Sequence, residues 1–563
     1  MIELRPYQIR VLDETWAALQ AKLNVLITAP CSAGKTILFS KIIQRLLREN
    51  PSFRALILTD RQILVSQSRD KLHTVAPELS ADVGIVCASV TAEKDFHCRV
   101  TVASRQTLAG HLDRFPPVQL AIVDECHLMA LPRDDKPLPD QFAQIVARLR
   151  EYNPKMRLLG CTASPYRLGQ GYIYGNQNRE GCRPYFDDTD AVITTRELLD
   201  GNYIAPLTGR ANVGDALTRD LKGVALTGGE YNLGQLSDVM CREVHIQSCV
   251  DSWREYASYR KKTIIFCATI EHAEAVADAF CAVHIPATAI HSKLPPIEEA
   301  ARMTALRRGL IPIFTSVAKL TTGMDVADID CIIMARPTKS TALYQQCIGR
   351  AQRLADGKTD ALVIDLVGCT KEFGTDMDNL KVAIPRDSSG EAPYKICPGE
   401  YQDGPQAGTV CGQSVHASLR YCPHCAYEFP VDEAVEAKIG KLEKVDFNKL
   451  PEPDEYEVKS VDYQTHVSMS SGKSLIKITY DCGFYSKFYE YLCLPDYYDG
   501  FAVRKAKTWW AERTDELFPE SVDEFMFLAD QLLQPATVLV VKEGKYNRVV
   551  GYKFVEEKEE IPF

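Results

Sequence analysis

The sequence predicts an α/β protein: two parallel-sheet domains in tandem, then a small cysteine-bearing module and a mixed α+β C-terminal domain. Three observations lead there. From residue 1 to about 370, short apolar runs alternate with amphipathic stretches, the pattern of strand–helix units wound around a parallel sheet. Those runs fall into two sets of similar layout. After about residue 385 the composition turns to Pro, Gly and Cys, then to the charged run LPEPDEYEVK.

The first set of strands is expected at Val25–Thr28, Ala55–Thr59, Arg99–Ala103, Leu120–Val123 and Arg157–Cys161. The second is expected at Thr263–Cys267, Ile311–Thr315, Asp330–Met334 and Asp360–Ile364. Residues 170–250, with weaker periodicity and many Gly, Tyr and Asn, read as an inter-domain connection or insertion. The expected division is therefore 1–200, first domain; 201–385, connection and second domain; 390–430, cysteine module; 431–455, acidic linker; and 456–563, C-terminal domain. Strand-like segments around Lys473–Tyr480 and Ala536–Val541 mark that last domain, which ends in the acidic tail EEIPF.

A chain of 563 residues can hold three or four domains of roughly 100 to 200 residues each. Apolar residues at 46% and charged residues at 25% exclude extensive disorder. A net charge of -10 does not favour phosphate binding over the whole surface, yet a local basic groove can sit inside an acidic envelope. Most of the 19 cysteines stand singly in apolar runs, as Cys161, Cys267 and Cys331 do, and read as reduced, buried thiols. The N-terminus MIELRPYQIR lacks a signal-like apolar stretch and no run reaches membrane-span length, so a cytoplasmic protein is expected.

Ala29–Thr36 reads APCSAGKT, directly after a strand and directly before the helical run ILFSKIIQRLL. This is the context of a phosphate-binding loop. The loop that opens at Pro30 would cradle phosphate with the backbone N–H groups of Cys31, Ser32, Ala33 and Gly34 and the helix N-terminus, Lys35 would reach the β and γ oxygens, and Thr36 would hold Mg²⁺. Ser32 stands where many such loops carry glycine, whose freedom suits the loop better. A later strand ends in Asp124, Glu125, Cys126 and His127, two carboxylates at the edge where open α/β sheets bind ligands. Asp124 would help hold Mg²⁺, and Glu125 would orient and deprotonate an attacking water.

With these motifs in order, residues 1 to about 370 resemble the superfamily 2 DExH-type helicases, whose core is two RecA-like domains of the P-loop NTPase class. The resemblance assigns Leu4, Arg5, Pro6, Tyr7 and Gln8 to the adenine-reading motif, with Arg5 and Gln8 as nucleotide contacts. Thr162, Ala163, Ser164 and Pro165 look like the motif linking hydrolysis to strand movement, in which His127, Thr162 and Ser164 would couple the two sites. Phe266 to Thr269 fits the fourth motif, and Thr321, Thr322, Gly323, Met324 and Asp325 the fifth, where Gly323 and Asp325 would touch nucleotide. Gln346, Ile348, Gly349, Arg350 and Arg353 match the sixth: Arg350 and Arg353 would be arginine fingers one helical turn apart, and Gln346 would bridge His127 and the water. Nucleic-acid contacts fall by the same likeness on Arg61, Gln67, Ser104, Arg105, Gln106 and Thr322, mostly to phosphate and sugar.

Cys397, Cys411, Cys422 and Cys425, in CPG, VCGQ and YCPHC surroundings, suggest a tetrahedral Zn²⁺ site in which metal replaces a hydrophobic core; His416 or His424 could stand in for one thiol. Helicase core, cysteine module and small C-terminal domain together resemble the bacterial RadD family of DNA repair and recombination motors, carried by LRPYQ, DECH, LTTGMD and YQQCIGR. That likeness implies an ATP- and Mg²⁺-dependent enzyme on single-stranded or branched DNA, bacterial or phage-encoded. An RNA helicase is the nearest alternative, and a nucleic-acid adaptor with weakened ATPase a further one. The stretch Arg504, Lys505, Lys507, Trp509, Trp510 could stack bases, but two inward-packed tryptophans are the favoured reading. The last residues resemble the acidic tip of bacterial single-stranded-DNA-binding proteins, which implies a partner among such proteins or their readers, or folding back onto a basic surface; chance similarity is the rival.

Overall fold

The computed structural model describes residues 3–554 except 61, 89, 91–94, 134–136, 139, 176–177, 179–180, 213–220, 222, 228, 318–325, 327, 383–393, 401–407, 417–421, 423, 428–441, 448–452, 468–473, 484–485, 498–499 and 544–545. The chain divides into two compact units, of which the larger runs to Asn448 apart from the short pieces Tyr174–Asn176 and Phe186–Ala191, and the smaller is Lys449–Phe563 with those pieces. Among the described residues no helix is long and apolar enough to cross a membrane.

The larger unit holds two largely parallel sheets. In the first lobe, β1 (Asn24–Thr28), β2 (Ala55–Thr59), β3 (Val83–Val86), β4 (Val100–Ser104), β5 (Leu120–Asp124) and β6 (Arg157–Thr162) lie in the order β3-β4-β2-β5-β6-β1, with Ala191–Val192 at the far edge. Their interiors are buried on both faces, so they read in sequence as unbroken apolar runs rather than as alternation. The neighbours β5, β6 and β1 end together: Thr28 pairs with Thr162 and Asp124 with Cys161. That register alone brings the residues after three strands to one edge.

The second lobe repeats the plan. Its strand order is Ala287–Ile290, Ile313–Ser316, Thr263–Cys267, Cys331–Ala335, Ala361–Asp365, Leu207–Ala211 and Glu443–Asp446. Alternate residues of these strands feed separate cores, Ile264, Phe266, Ile332 and Val363 on one face and Ile265, Cys267, Ile333 and Ile364 on the other. The last strand is antiparallel to Leu207–Ala211, and Leu442 and Phe447 beside it are buried. Part of the stretch expected as an acidic linker is therefore an edge strand of this sheet. Its exposed Glu443, Lys444 and Asp446 keep the outer face in water, while Val445 packs inward.

The smaller unit contains two three-stranded antiparallel sheets and the helices Gly500–Ala511 and Val522–Leu528. Trp509 and Trp510 are buried in its core with Phe525 and Tyr480, as the favoured packing of that stretch requires. The side chains of Arg504 and Lys505, and the tail from 555, lie outside the described residues.

Candidate nucleotide site

The phosphate loop leaves β1 and turns straight into the helix Lys35–Glu49. Ala29 N–H donates to Thr162 O at 2.9 Å and Ala33 N–H to Pro30 O at 3.1 Å. Gly34 caps the helix with φ +80°, a left-handed conformation that only glycine adopts without strain. A β-carbon there would also lie 2.9 Å from Gln8 Nε2, so the loop and the stretch Leu4–Gln8 touch. Ser32 is absent from the left-handed non-glycine positions. The expected need for glycine freedom at this position is thus not met in the fold, and its hydroxyl donates instead to Gly349 O at 3.3 Å.

Lys35 is buried, donates to Ala29 O at 3.2 Å and lies 3.9 Å from Glu125 Oε1. Burial disfavours its charge, but Glu125, Cys31, Asp124 and Cys161 outweigh that and raise its pKa. Asp124 moves the other way from an ordinary carboxylate: burial first, then the Glu125 charge, push it up to about 6, against the pull of Lys35. Glu125 sits at φ +53° and its Oε2 is buried without a hydrogen-bond partner. Two adjacent carboxylates with one cation nearby are the donor set a divalent ion fits, and Thr36 follows Lys35 on the same helix turn.

His127 Nδ1 lies 2.8 Å from Thr162 Oγ1. That hydroxyl has one proton, which it gives to Ser164 O at 3.1 Å, while Ser164 N–H donates back to it at 3.1 Å. It therefore accepts from His127 Nδ1–H, leaving Nε2 as the acceptor. Burial holds the His127 pKa down, although Glu125 pulls it up, so the ring stays neutral. The predicted coupling residues thus form one hydrogen-bonded chain. Arg167, which the sequence did not single out, anchors the same turn by donating to Leu128 O and to His127 O.

From the second lobe, the end of the helix Thr341–Gly349 meets this loop; Gln346 within the helix and Arg350 just after it are both buried. A β-carbon at Gly349 would meet Cys31 Cβ at 3.2 Å. Burial and then the Arg353 charge bring Arg350 down to about 10, while Cys31 and Glu125 act oppositely, as groups within electrostatic reach of it. Arg353 is half-buried three residues on. Thr321, Thr322, Gly323, Met324 and Asp325 lie outside the described residues, as does Arg61.

One aromatic beside Arg5 and Tyr7 escaped sequence reasoning. The Arg5 guanidinium lies 4.7 Å from the Tyr203 ring centroid, and Tyr203 packs 5.1 Å from Tyr7, whose hydroxyl donates to Ala33 O at 3.1 Å. Gln8 is buried and its Oε1 accepts from Arg5 N–H at 3.0 Å. Two residues on, Ala205 N–H donates to Gln352 O at 2.8 Å, tying this segment to the chain just past Arg350. Tyr203 lies in the stretch expected as a connection, where no periodicity marks it.

The nucleic-acid candidates fare unevenly. Ser104 is fully buried and engaged within the protein: it caps Arg105–Ala109 by accepting from Thr107 N–H and lies 3.0 Å from Thr107 Oγ1. Arg105 pairs with Asp60 and lies over Phe142; Gln106 is exposed and Gln67 half-buried.

In the cysteine module, the Sγ atoms of Cys397, Cys411, Cys422 and Cys425 all lie within 4.8 Å of one another, with 3.5 Å between Cys397 and Cys425 and 3.8 Å between Cys411 and Cys422. A tetrahedron of sulfurs around zinc, at Zn–S about 2.3 Å, has edges of about 3.8 Å. The four thiols therefore fit one tetrahedral ion. His424 is exposed and not part of the group, and the side chain of His416 lies outside the described residues. Burial raises the Cys422 thiol, but the backbone N–H groups of His424 and Cys425 outweigh it and bring it to about 7.

Comparison with known proteins adds the following. The family described as "Type III restriction enzyme, res subunit" matches residues 1–167, and "Helicase conserved C-terminal domain" matches residues 246–355. A Schizosaccharomyces pombe protein assigned as a mitochondrial ATP-dependent helicase, irc3, is 29% identical over 386 residues, covering 67% of this chain and 59% of its own. A Saccharomyces cerevisiae counterpart, IRC3, is 25% identical over 383 residues, covering 65% and 52%. The Escherichia coli "Type I restriction enzyme EcoAI endonuclease subunit" is 22% identical over 406 residues, covering 66% and 46%. The chain thus spans between about half and three fifths of the length of the two yeast relatives. Among solved structures, a fragment assigned as the HsdR subunit of a type I restriction enzyme from Vibrio vulnificus aligns with TM-score 0.49 and 20% identity, over 67% of this chain and 66% of that one.

Proposed function

We propose that the chain, whose two lobes match a restriction-enzyme res-subunit model and a helicase C-terminal model, is an ATP-dependent DNA helicase or translocase of superfamily 2. It would couple hydrolysis to movement along DNA or to its remodelling. One observation carries this reading: Cys31 and Ser32 of the phosphate loop meet Gly349, immediately before Arg350, so groups from both lobes converge on one triphosphate site.

In this reading Gln8 and Arg5 read the base, the loop Pro30–Gly34 cradles phosphate, and Lys35 reaches its β and γ oxygens. Thr36 and Asp124 are the residues that would hold Mg²⁺, which supplies neutralisation of charge shared by those oxygens. Glu125, whose Oε2 is buried without a hydrogen-bond partner and lies 3.4 Å from His127 Nδ1, takes the proton from the attacking water, and Gln346 orients that water. Arg350 and Arg353 stabilise the charge that spreads over the transferring group, a contribution of roughly 10³- to 10⁵-fold in related motors. The chain His127–Thr162–Ser164 links this chemistry to the strand. Gly323 and Asp325 complete the nucleotide set.

DNA is favoured over RNA by the restriction-enzyme names among the matches, which belong to DNA-acting systems. Arg61, Gln67, Arg105, Gln106 and Thr322 are the proposed backbone contacts, positioning the strand without reading sequence. The four cysteines would hold Zn²⁺ as a structural ion. The finer setting, a cytoplasmic repair or recombination motor like the RadD family, with the acidic tail recruiting a single-stranded-DNA-binding protein or its readers, belongs to the same proposal.

The test is the ATPase rate with single-stranded, duplex and branched DNA and with RNA, for the native chain and Lys35→Ala. Strong stimulation by DNA, abolished by the substitution, is expected. Stimulation by RNA alone would make the protein an RNA helicase, and equal rates with and without polynucleotide would remove the motor.

A further inference from the structure

We propose that the outer face of the sheet Ser460–Val467, Ser474–Asp481, Lys487–Leu492 binds single-stranded nucleic acid by stacking unpaired bases on Tyr489 and Tyr491. The choice of ligand rests on the motor reading; the site itself lies wholly within the smaller unit.

In Lys487–Leu492 the side chains alternate, with Phe488, Glu490 and Leu492 buried and Lys487, Tyr489 and Tyr491 outward. The inward set joins the core around Trp509 or hydrogen-bonds within it, since Glu490 accepts from the Tyr480 hydroxyl at 2.9 Å. Nothing in the alternation requires the outward residues to be aromatic. Tyr489 and Tyr491 are nonetheless 44% and 48% exposed, far more than packing needs of so large an apolar ring.

The neighbours of both rings suit a nucleic-acid strand. The Lys477 ammonium stands 4.4 Å from the Tyr489 centroid, and the His466 ring lies 5.5 Å from that of Tyr491. In the strand register, Lys477 sits between Gln464 and Tyr491. This end of the face therefore offers two π surfaces, a fixed cation and an amide donor and acceptor. Asp462 lies across Thr479 from Tyr489, and in the next row Asp481 pairs with Lys487 at 3.0 Å, so the face turns acidic away from Lys477. Phosphates are thereby directed over Lys477 and His466.

Residues two apart on a strand are about 6.8 Å apart, too far for bases that remain stacked on each other and suited to bases splayed from a single strand. A duplex, its bases already stacked, offers these rings no free face. Acidic groups outnumber basic ones in residues 449–563, so stacking rather than charge must carry the affinity. Among the described residues of the face the lysines are Lys477 and Lys487, and these two contribute at most about 1.4 to the salt slope for a single strand.

The experiment uses the full-length chain and a fluorescent oligothymidylate, with affinity read by anisotropy without nucleotide. Tyr489→Ala with Tyr491→Ala should weaken binding by roughly tenfold or more, Tyr489→Phe with Tyr491→Phe should hold within about twofold of native, and Lys477→Ala should lie between them. ATPase without polynucleotide should be unchanged in all, and the oligonucleotide concentration for half-maximal stimulation should rise with the alanine pair. An oligonucleotide carrying 5-iodouracil should photocrosslink to the 487–492 strand. Equal affinity of the alanine pair and native chain, or crosslinks confined to residues 1–448, would overturn the proposal and leave the tyrosines to a protein partner. Loss of polynucleotide stimulation in the native chain would instead overturn the motor reading, while anisotropy would still report on this face.

Discussion

Adding one methyl group at Gly349 tests whether the two lobes meet at the phosphate loop during turnover. A β-carbon there stands 3.2 Å from Cys31 Cβ and 3.6 Å from its Sγ. Carbon atoms in comfortable contact sit about 3.5 to 4.0 Å apart, so Gly349→Ala forces the loop or the helix back by a few tenths of an ångström. Overpacking of this kind costs about 1 to 3 kcal/mol. Falling on the joined state of the lobes, that cost lowers kcat/KM for ATP by roughly five- to 150-fold. Thermal stability should hold or rise, because alanine is favoured over glycine inside a helix by about 0.5 to 1 kcal/mol. The struck atom is the β-carbon of Cys31, so Cys31→Gly should restore much of the rate in the double variant, whereas Cys31→Ala should not. Steady-state ATPase with saturating DNA for the four members of this cycle gives the coupling directly. Native rates in Gly349→Ala, or no rescue by Cys31→Gly, would refute the contact as a feature of the working enzyme.

Three further outcomes are expected. Asp124 has a folded pKa of about 6 against an ordinary 3.8, so the nucleotide-free fold binds more protons than the unfolded chain between those values and loses stability as pH rises through that window, by on the order of 2 to 3 kcal/mol. Asp124→Asn should therefore raise the melting temperature at pH 7.5 and do little at pH 4; an unchanged difference across that range would contradict the burial of the charge. Tyr203→Ala should raise KM for ATP severalfold, the size of one lost cation–π contact with Arg5, while Tyr203→Phe leaves it near native; equal KM values would release Tyr203 from the base-reading corner. Elemental analysis should find about one zinc per chain, lost when Cys422 and Cys425 become Ser, and a metal content unchanged by those substitutions would break the four-thiol site.

What the sequence disclosed follows from how locally each feature is encoded. The phosphate loop and Asp124–His127 were legible because a buried parallel strand leaves an unbroken apolar run and the chemistry follows it directly. The edge strand Glu443–Asp446 hid in an acidic stretch, since only Val445 turns inward and no period survives. Val83–Val86 and Ala287–Ile290, also at sheet edges, are too short to stand out. Tyr203 and the Cys31–Gly349 contact depend on chain partners nearly 200 residues or more away, which periodicity cannot carry. Ser104 has a local role that the motif likeness passed over: a serine opening a helix is a natural cap. The paired tryptophans were better judged, because helical spacing alone places them on a packed face.

The central claim is that Lys35 and the Arg350–Arg353 pair hold one triphosphate from opposite sides. A crystal structure with Mg²⁺ and a non-hydrolysable ATP analogue tests it most directly. Lys35 Nζ and at least one of the two guanidinium groups should both lie within hydrogen-bond distance, about 3 Å, of γ-phosphate oxygens. A γ-phosphate held by Lys35 with both arginines turned away, beyond the reach of any hydrogen bond, would contradict it.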